Sequence, residues 1–187
     1  MHPYLKPMKK IFLLFIFPLL LTFCTPDRED PFLVGKDRVG KLLKTNRLAQ
    51  LDSIYSQDSL VRDSASLSLG RSSRIEVYET GGKHLLTLTP MADSLERIGN
   101  IRIWDPRFHT EAGIGLESTF GEIEKAHEIR KVVSSRSNIL ILLKDHPAYF
   151  TISREELPAA LRYTDTPIEA VQIPDGARIK YMMVGWE

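Results

Sequence analysis

One cysteine, Cys24, stands in a chain of 187 residues. A single thiol forms no internal disulfide, so packing and hydrogen bonds alone must hold the fold. Charge of either sign is not in excess, with 25 Lys and Arg against 24 Asp and Glu. A nucleic-acid binder would show a clustered basic face instead. No apolar run reaches the roughly 20 residues of a membrane-spanning helix. The uncharged run 11–23 stops short of that and carries Pro18 in its middle. Signatures of chemistry are missing too. No two histidines sit at the His-x-x-x-His spacing of a metal site. No Gly-x-Ser-x-Gly elbow occurs. Gly113-x-Gly115 before a helix lacks the third glycine and the lysine of a phosphate loop. No catalytic residue, metal ligand or cofactor site is therefore assigned.

What is present begins at the N-terminus. Lys9 and Lys10 precede the run 11–23, and Cys24 follows it. Basic residues and then a short apolar stretch form a secretory signal. Met8 stands directly before the lysines and is the expected start of that signal. The tetrad Leu21-Thr22-Phe23-Cys24 resembles the lipobox of bacterial lipoproteins. The resemblance implies a diacylglycerol on the Cys24 sulfur, cleavage before it, and acylation of the new amino group. Phe23 departs from the small residue usual at that position. Two or three acyl chains anchor stably where one is marginal. Residues 1–23 are thus read as a signal peptide and 24–31 as a lipidated cysteine and tether. Loss of Lys6, Lys9 and Lys10 with the signal leaves a slightly acidic remainder.

The tether carries Asp27, Glu29 and Asp30 between two prolines. These acids resemble the export signal of surface lipoproteins in Bacteroidota-type bacteria. A solvated linker accounts for them equally well. The expected location is the cell envelope, lipid-anchored at the outer membrane, on its periplasmic or its cell-surface face. The membrane, reached through the lipid, is one expected partner; a protein of the envelope is the other, and nucleic acid is none.

Residues 32–187 read as one domain. Leu48, Leu51 and Tyr55 repeat at helical spacing, with Thr45 or Asn46 as cap, and predict a helix over 46–56. Residues 58–73 read as a loop or a weak edge strand. Residues 74–79 and 83–89 alternate apolar and polar around Gly81-Gly82, a hairpin signal. Residues 98–104 alternate again. Ser118 or Thr119 caps a second helix, Glu122 completing a capping box with Thr119, and Phe120, Ile123 and Ala126/His127 form its buried stripe. Strands follow at 129–133, 139–143 and 148–152. The run 139–143 is apolar throughout, as in a strand buried on both faces. A second capping box, Ser153 to Glu156, opens a short helix. Residues 170–173 and 178–186 read as closing strands.

Val39-Gly40…Thr45…Leu48…Leu51 is echoed by Ile114-Gly115…Thr119…Ile123…Ala126. This helix-then-two-strands plan resembles the tandem modules of the BamE and beta-lactamase-inhibitor-protein type. The tether, the Tyr78…Gly81-Gly82-Lys83 hairpin and the closing Lys180-Tyr-Met-Met-Val-Gly-Trp186 resemble small lipoproteins of Bacteroidota. The expected fold class is α+β: a mostly antiparallel sheet with two main helices on one face, compatible with two tandem helix-strand-strand units. The leading function is a non-enzymatic binding or scaffolding module. An envelope hydrolase with a site assembled from distant residues is one alternative; an inhibitor of an envelope enzyme is another. Trp104, Phe108 and His109, in and beside the loop 105–119, are the candidate partner-binding residues, since loop aromatics make good interface anchors.

Overall fold

The computed structural model describes residues 30–63, 74–91 and 96–186. The signal, Cys24 and the tether before residue 30 lie outside them. Among the described residues twelve strands form two sheets. The larger has eight strands: β4 (Ser59–Arg62), β5 (Ile75–Tyr78), β6 (His84–Pro90), β7 (Ile98–Ile103), β9 (Ile129–Ser134), β10 (Asn138–Leu143), β11 (Ala148–Ser153) and β12 (Ile179–Gly185). The smaller has four: β1 (Leu33–Val34), β2 (Arg38–Val39), β3 (Leu42–Leu43) and β8 (His109–Thr110).

The expected α+β arrangement is not the one that forms. Among the described residues the α-helices are α1 (Leu51–Ile54) and α2 (Phe120–Ala126), both short, and the sheets dominate. The stripe over 46–56 does bury Leu51 and Tyr55. Its first turn, Leu48–Gln50, is a tighter 3-10 turn. Asn46 does not cap it; its Oδ1 accepts the Leu43 amide at 2.7 Å, while Arg47 N donates to Gln50 Oε1 at 2.8 Å. Helices this short are unstable alone, so packing of one face decides where they persist. The Thr119–Glu122 capping box forms as expected, with Thr119 N donating to Glu122 Oε2 at 2.7 Å. Residues 170–172 are a 3-10 turn rather than a strand.

The tandem helix-strand-strand reading is corrected in the same way. Each helix precedes a meander longer than two strands. Strands β4–β7 and β9–β12 are two antiparallel meanders, and the order β4-β5-β6-β7-β12-β11-β10-β9 joins them at their last strands. One continuous sheet results.

Strand alternation gives that sheet two unlike faces. Val77, Leu86, Ile103, Met182, Phe150, Ile141 and Val132 are successive cross-strand partners on one face. This row is the floor of the core. The small sheet, both helices and Phe108, Ile114, Leu157, Ile173 and Trp186 belong to the same buried cluster. The run 139–143 is buried on one face only. Ile139, Ile141 and Leu143 point into the core, and Leu140 and Leu142 are half-buried on the other side. Gly81 and Gly82 close the β5–β6 hairpin with φ of 107° and 86°, values only glycine adopts freely.

Candidate binding face

The outer face of the large sheet carries the row Glu76, Thr87, Arg102, Met183, Tyr149, Leu142 and Lys131, again as successive cross-strand partners. An outward face is ordinarily polar. Here its centre is aromatic and aliphatic. At β5–β6 the register shifts: Val77 pairs with Leu86, but Tyr78 pairs with His84, so Leu85 is the extra residue of a bulge. The bulge turns His84 outward beside Tyr78 and sends Leu85 inward.

A stack runs across this face. Tyr78 and His84 have ring centroids 4.6 Å apart at 24°. His84 and Trp104 follow at 4.9 Å and 24°. The Arg102 guanidinium lies 3.8 Å from the Trp104 centroid and 4.0 Å from that of Tyr181. Hydrogen bonds lock the stack. Trp104 Nε1 donates to Thr87 Oγ1 at 2.8 Å, Thr87 Oγ1 donates to Glu76 Oε2, and His84 Nε2 lies 2.9 Å from the same carboxylate oxygen. Trp104 remains 41% exposed, so a large aromatic is displayed in one fixed pose. The Arg102 side chain has no hydrogen bond or ion pair among the described residues, and its Nε is buried without a partner there.

Of the other sequence candidates, Phe108 is 2% exposed and meets Phe32 edge-on at 5.2 Å. It is a core residue and offers no surface to a partner. His109 is half-buried in β8, with Nδ1 2.8 Å from Arg107 O and Nε2 3.2 Å from Asp30. Neither meets Trp104. The residues that do meet it, His84 and Arg102, carry no motif, and neither does Tyr181 on the other side of Arg102. The signal that points to them is the alternation putting Arg102 and Trp104 on one face.

The loop after Trp104 is held by charge. Asp105 is fully buried and receives Arg107 Nη2 at 2.6 Å and Lys83 Nζ at 3.1 Å. Burial alone would raise its pKa, but the bonds from Arg107 and Lys83 outweigh that and hold it at about 2. Arg107 also grips Glu79 at 2.8 Å, which lowers the Glu79 pKa, and both carboxylates raise that of Arg107. A cavity of about 270 Å³ lies beside this network, lined by Phe32, Lys41, Tyr55, Asp58, Leu85 and Phe108 among others. Its charges are already satisfied, Lys41 by Asp58 at 2.8 Å and Arg107 by Glu79.

The four described histidines fall in three places. His84 is on the outer face and His109 in β8; His127 and His146 meet with ring centroids 5.6 Å apart. Thr110 Oγ1 is 3.1 Å from His127 Nε2, and Glu111 is 3.4 Å from His146. Thr110, the hydroxyl beside this pair, is fully buried. Among the described residues no three His, Cys, Asp or Glu side chains converge as metal ligands, and no helix is long and apolar enough to cross a membrane.

No protein-family model matches the chain, and no curated protein matches it in sequence. Among solved structures, the uncharacterized protein yfeY from Escherichia coli is similar to it, with a TM-score of 0.53 and 11% identity over 82% of this chain and 99% of that one. At that identity the likeness shows the fold alone.

Proposed function

We propose that the chain is an envelope lipoprotein, acylated at Cys24 and held at the outer membrane, whose domain is a non-enzymatic binding module. One observation carries the binding reading: Trp104 stands 41% exposed yet is fixed by a hydrogen bond and by its stack with His84 and Arg102. An aromatic held in place loses little entropy when a ligand covers it. Aromatic and arginine side chains are also the commonest energetic anchors of interfaces. The partner is a protein or surface ligand of the envelope, with Trp104 and Arg102 at the centre of the contact.

Two experiments test this. Chemical crosslinking in the native host, with wild type and Trp104→Ala side by side, is expected to recover one partner from the wild type and to lose it with the variant. Equal recovery from both removes the outer face from the reading. Fatty-acid labelling in vivo is expected to mark the wild type and not Cys24→Ser; an unlabelled wild type removes the anchor. Protease treatment of intact cells then separates the cell-surface from the periplasmic face.

A further inference from the structure

Strand β9 is an edge of the large sheet, bordered only by β10 in the strand order. The hairpin joining them turns at 135–138, with Ser135 N donating to Asn138 O at 2.8 Å. Bonded pairs recur at every second residue along an antiparallel ladder. By that alternation the backbone N–H and C=O of Val132 and Ser134 point away from β10. They face a groove of about 650 Å³ whose opposite wall is the segment 162–167.

That wall is fixed without filling the groove. Arg154, 8% exposed, donates Nε to Ser135 O at 2.7 Å and Nη1 to the carbonyls of Leu161, Arg162 and Thr164 at 3.3, 3.3 and 2.8 Å. Ile168 N donates to Ser134 Oγ at 3.0 Å, tying the wall back to the end of β9. Among the described residues the strand edge therefore keeps free backbone donors and acceptors beside a preformed trough.

The trough is also charged. Lys131, Arg136, Arg154 and Arg162 line it against one acid, Asp165. None of the four cations enters an ion pair among the described residues. Elsewhere Lys41, Arg47, Arg62 and Lys144 each hold a carboxylate within 3 Å. A local excess of positive charge in a nearly neutral chain selects negative partners. Tyr163, 92% exposed on the far wall, adds an aromatic contact at its rim.

We propose that this groove binds an extended acidic segment of a partner polypeptide, added as a ninth strand along β9. Main-chain pairing with Val132 and Ser134 supplies affinity independent of sequence. Acidic side chains at alternate positions of the segment reach the basic walls. The site is separate from the outer face around Trp104 and does not rest on it.

The probe is a fluorescein-labelled hexapeptide Glu-Val-Glu-Val-Glu-Val, matched to the six residues of β9. It is titrated by fluorescence anisotropy against the full chain in detergent. Saturable binding is expected. The double variant Lys131→Glu, Arg136→Glu changes two exposed side chains and should weaken it at least about tenfold. The peptide Glu-Val-Glu-Pro-Glu-Val keeps all three carboxylates but loses an amide donor and strand geometry, and should weaken comparably. Trp104→Ala should bind as wild type. Equal binding of the proline peptide would reduce the groove to a polyanion patch and overturn strand addition. Unchanged binding by the double variant, or no saturation at about 1 mM peptide, would overturn the site.

Discussion

The Arg102 guanidinium lies between two rings, 3.8 Å from the centre of Trp104 and 4.0 Å from that of Tyr181. Its flat faces are covered, and its terminal nitrogens remain free to meet a ligand in the guanidinium plane. Trp104 thus does two things: it presents its own edge, and it orients Arg102. Trp104→Ala removes the stack with His84, the cation–π contact and the bond to Thr87 together. The expected cost in urea unfolding is about 1–2 kcal/mol. Arg102→Lys keeps the charge but not the planar fit. It is expected to leave the urea midpoint close to wild type while weakening capture of the partner. Arg102→Lys binding as wild type would show that charge alone matters there.

Asp105 is the buried centre of the loop network, and Asp105→Asn leaves Lys83 and Arg107 facing a neutral amide. Breaking a buried, hydrogen-bonded charge cluster in this way costs about 3 kcal/mol. The pH dependence follows from the lowered pKa. Unfolded Asp105 titrates near 3.8 and folded Asp105 near 2, so the unfolded state binds the proton first. Its stabilisation is fully present above about pH 4 and is lost as the pH falls toward 2. Urea midpoints measured across that window should fall less steeply for Asp105→Asn than for wild type. Parallel curves would assign the acid loss to other carboxylates.

What the residues alone revealed was mostly strand and turn. The alternation of 74–79 and 98–104 and the glycines at 81 and 82 each correspond to an element of the fold. The two helices were overread because a helical stripe reports which side chains are buried, not how many turns persist. Leu51 and Tyr55 are buried by a single turn as well as by three. Phe108 looked like an exposed loop anchor because nothing in the loop 105–119 reveals that Phe32 comes back to cover it. The stack at Trp104 was invisible for another reason. Tyr78 and His84 are brought together by a bulge, and Tyr181 arrives on a strand remote in sequence. Neither relation has a local signal.

His127 caps the end of α2 and faces His146 and Thr110, with Glu111, Lys36 and Asp145 around the same hollow. Burial lowers its pKa first; the neighbouring His146 lowers it further, and Glu111 opposes both. The folded state therefore resists protonating His127 more than the unfolded chain does. Its contribution is complete above about pH 6.5, the ordinary histidine value, and is lost as the pH falls toward the lower folded pKa. Wild-type urea midpoints should drop between pH 7.5 and 5, and His127→Gln should flatten that drop. An equal slope in the variant would place the titration on another group.

The last prediction concerns a hydroxyl that gains nothing from folding. Tyr55 is 3% exposed, and its Oη is buried without a hydrogen-bond partner among the described residues. Burial, and then the charge of Asp58, pushes its pKa up, so the group stays neutral through the physiological range. An unpaired buried hydroxyl costs about 1–3 kcal/mol of desolvation with no bond in return. The ring, by contrast, packs in the core with Leu51 and Leu42. Tyr55→Phe keeps the ring and removes the uncompensated group. It is expected to leave stability unchanged or raise it by up to about 1 kcal/mol. Tyr55→Ala empties the ring's place and should cost about 3 kcal/mol. The pair separates the two parts of one side chain: urea midpoints should move in opposite directions, or one only, at equal slopes. A loss of more than about 1 kcal/mol in Tyr55→Phe would mean that the hydroxyl is bonded after all, and would sink the argument.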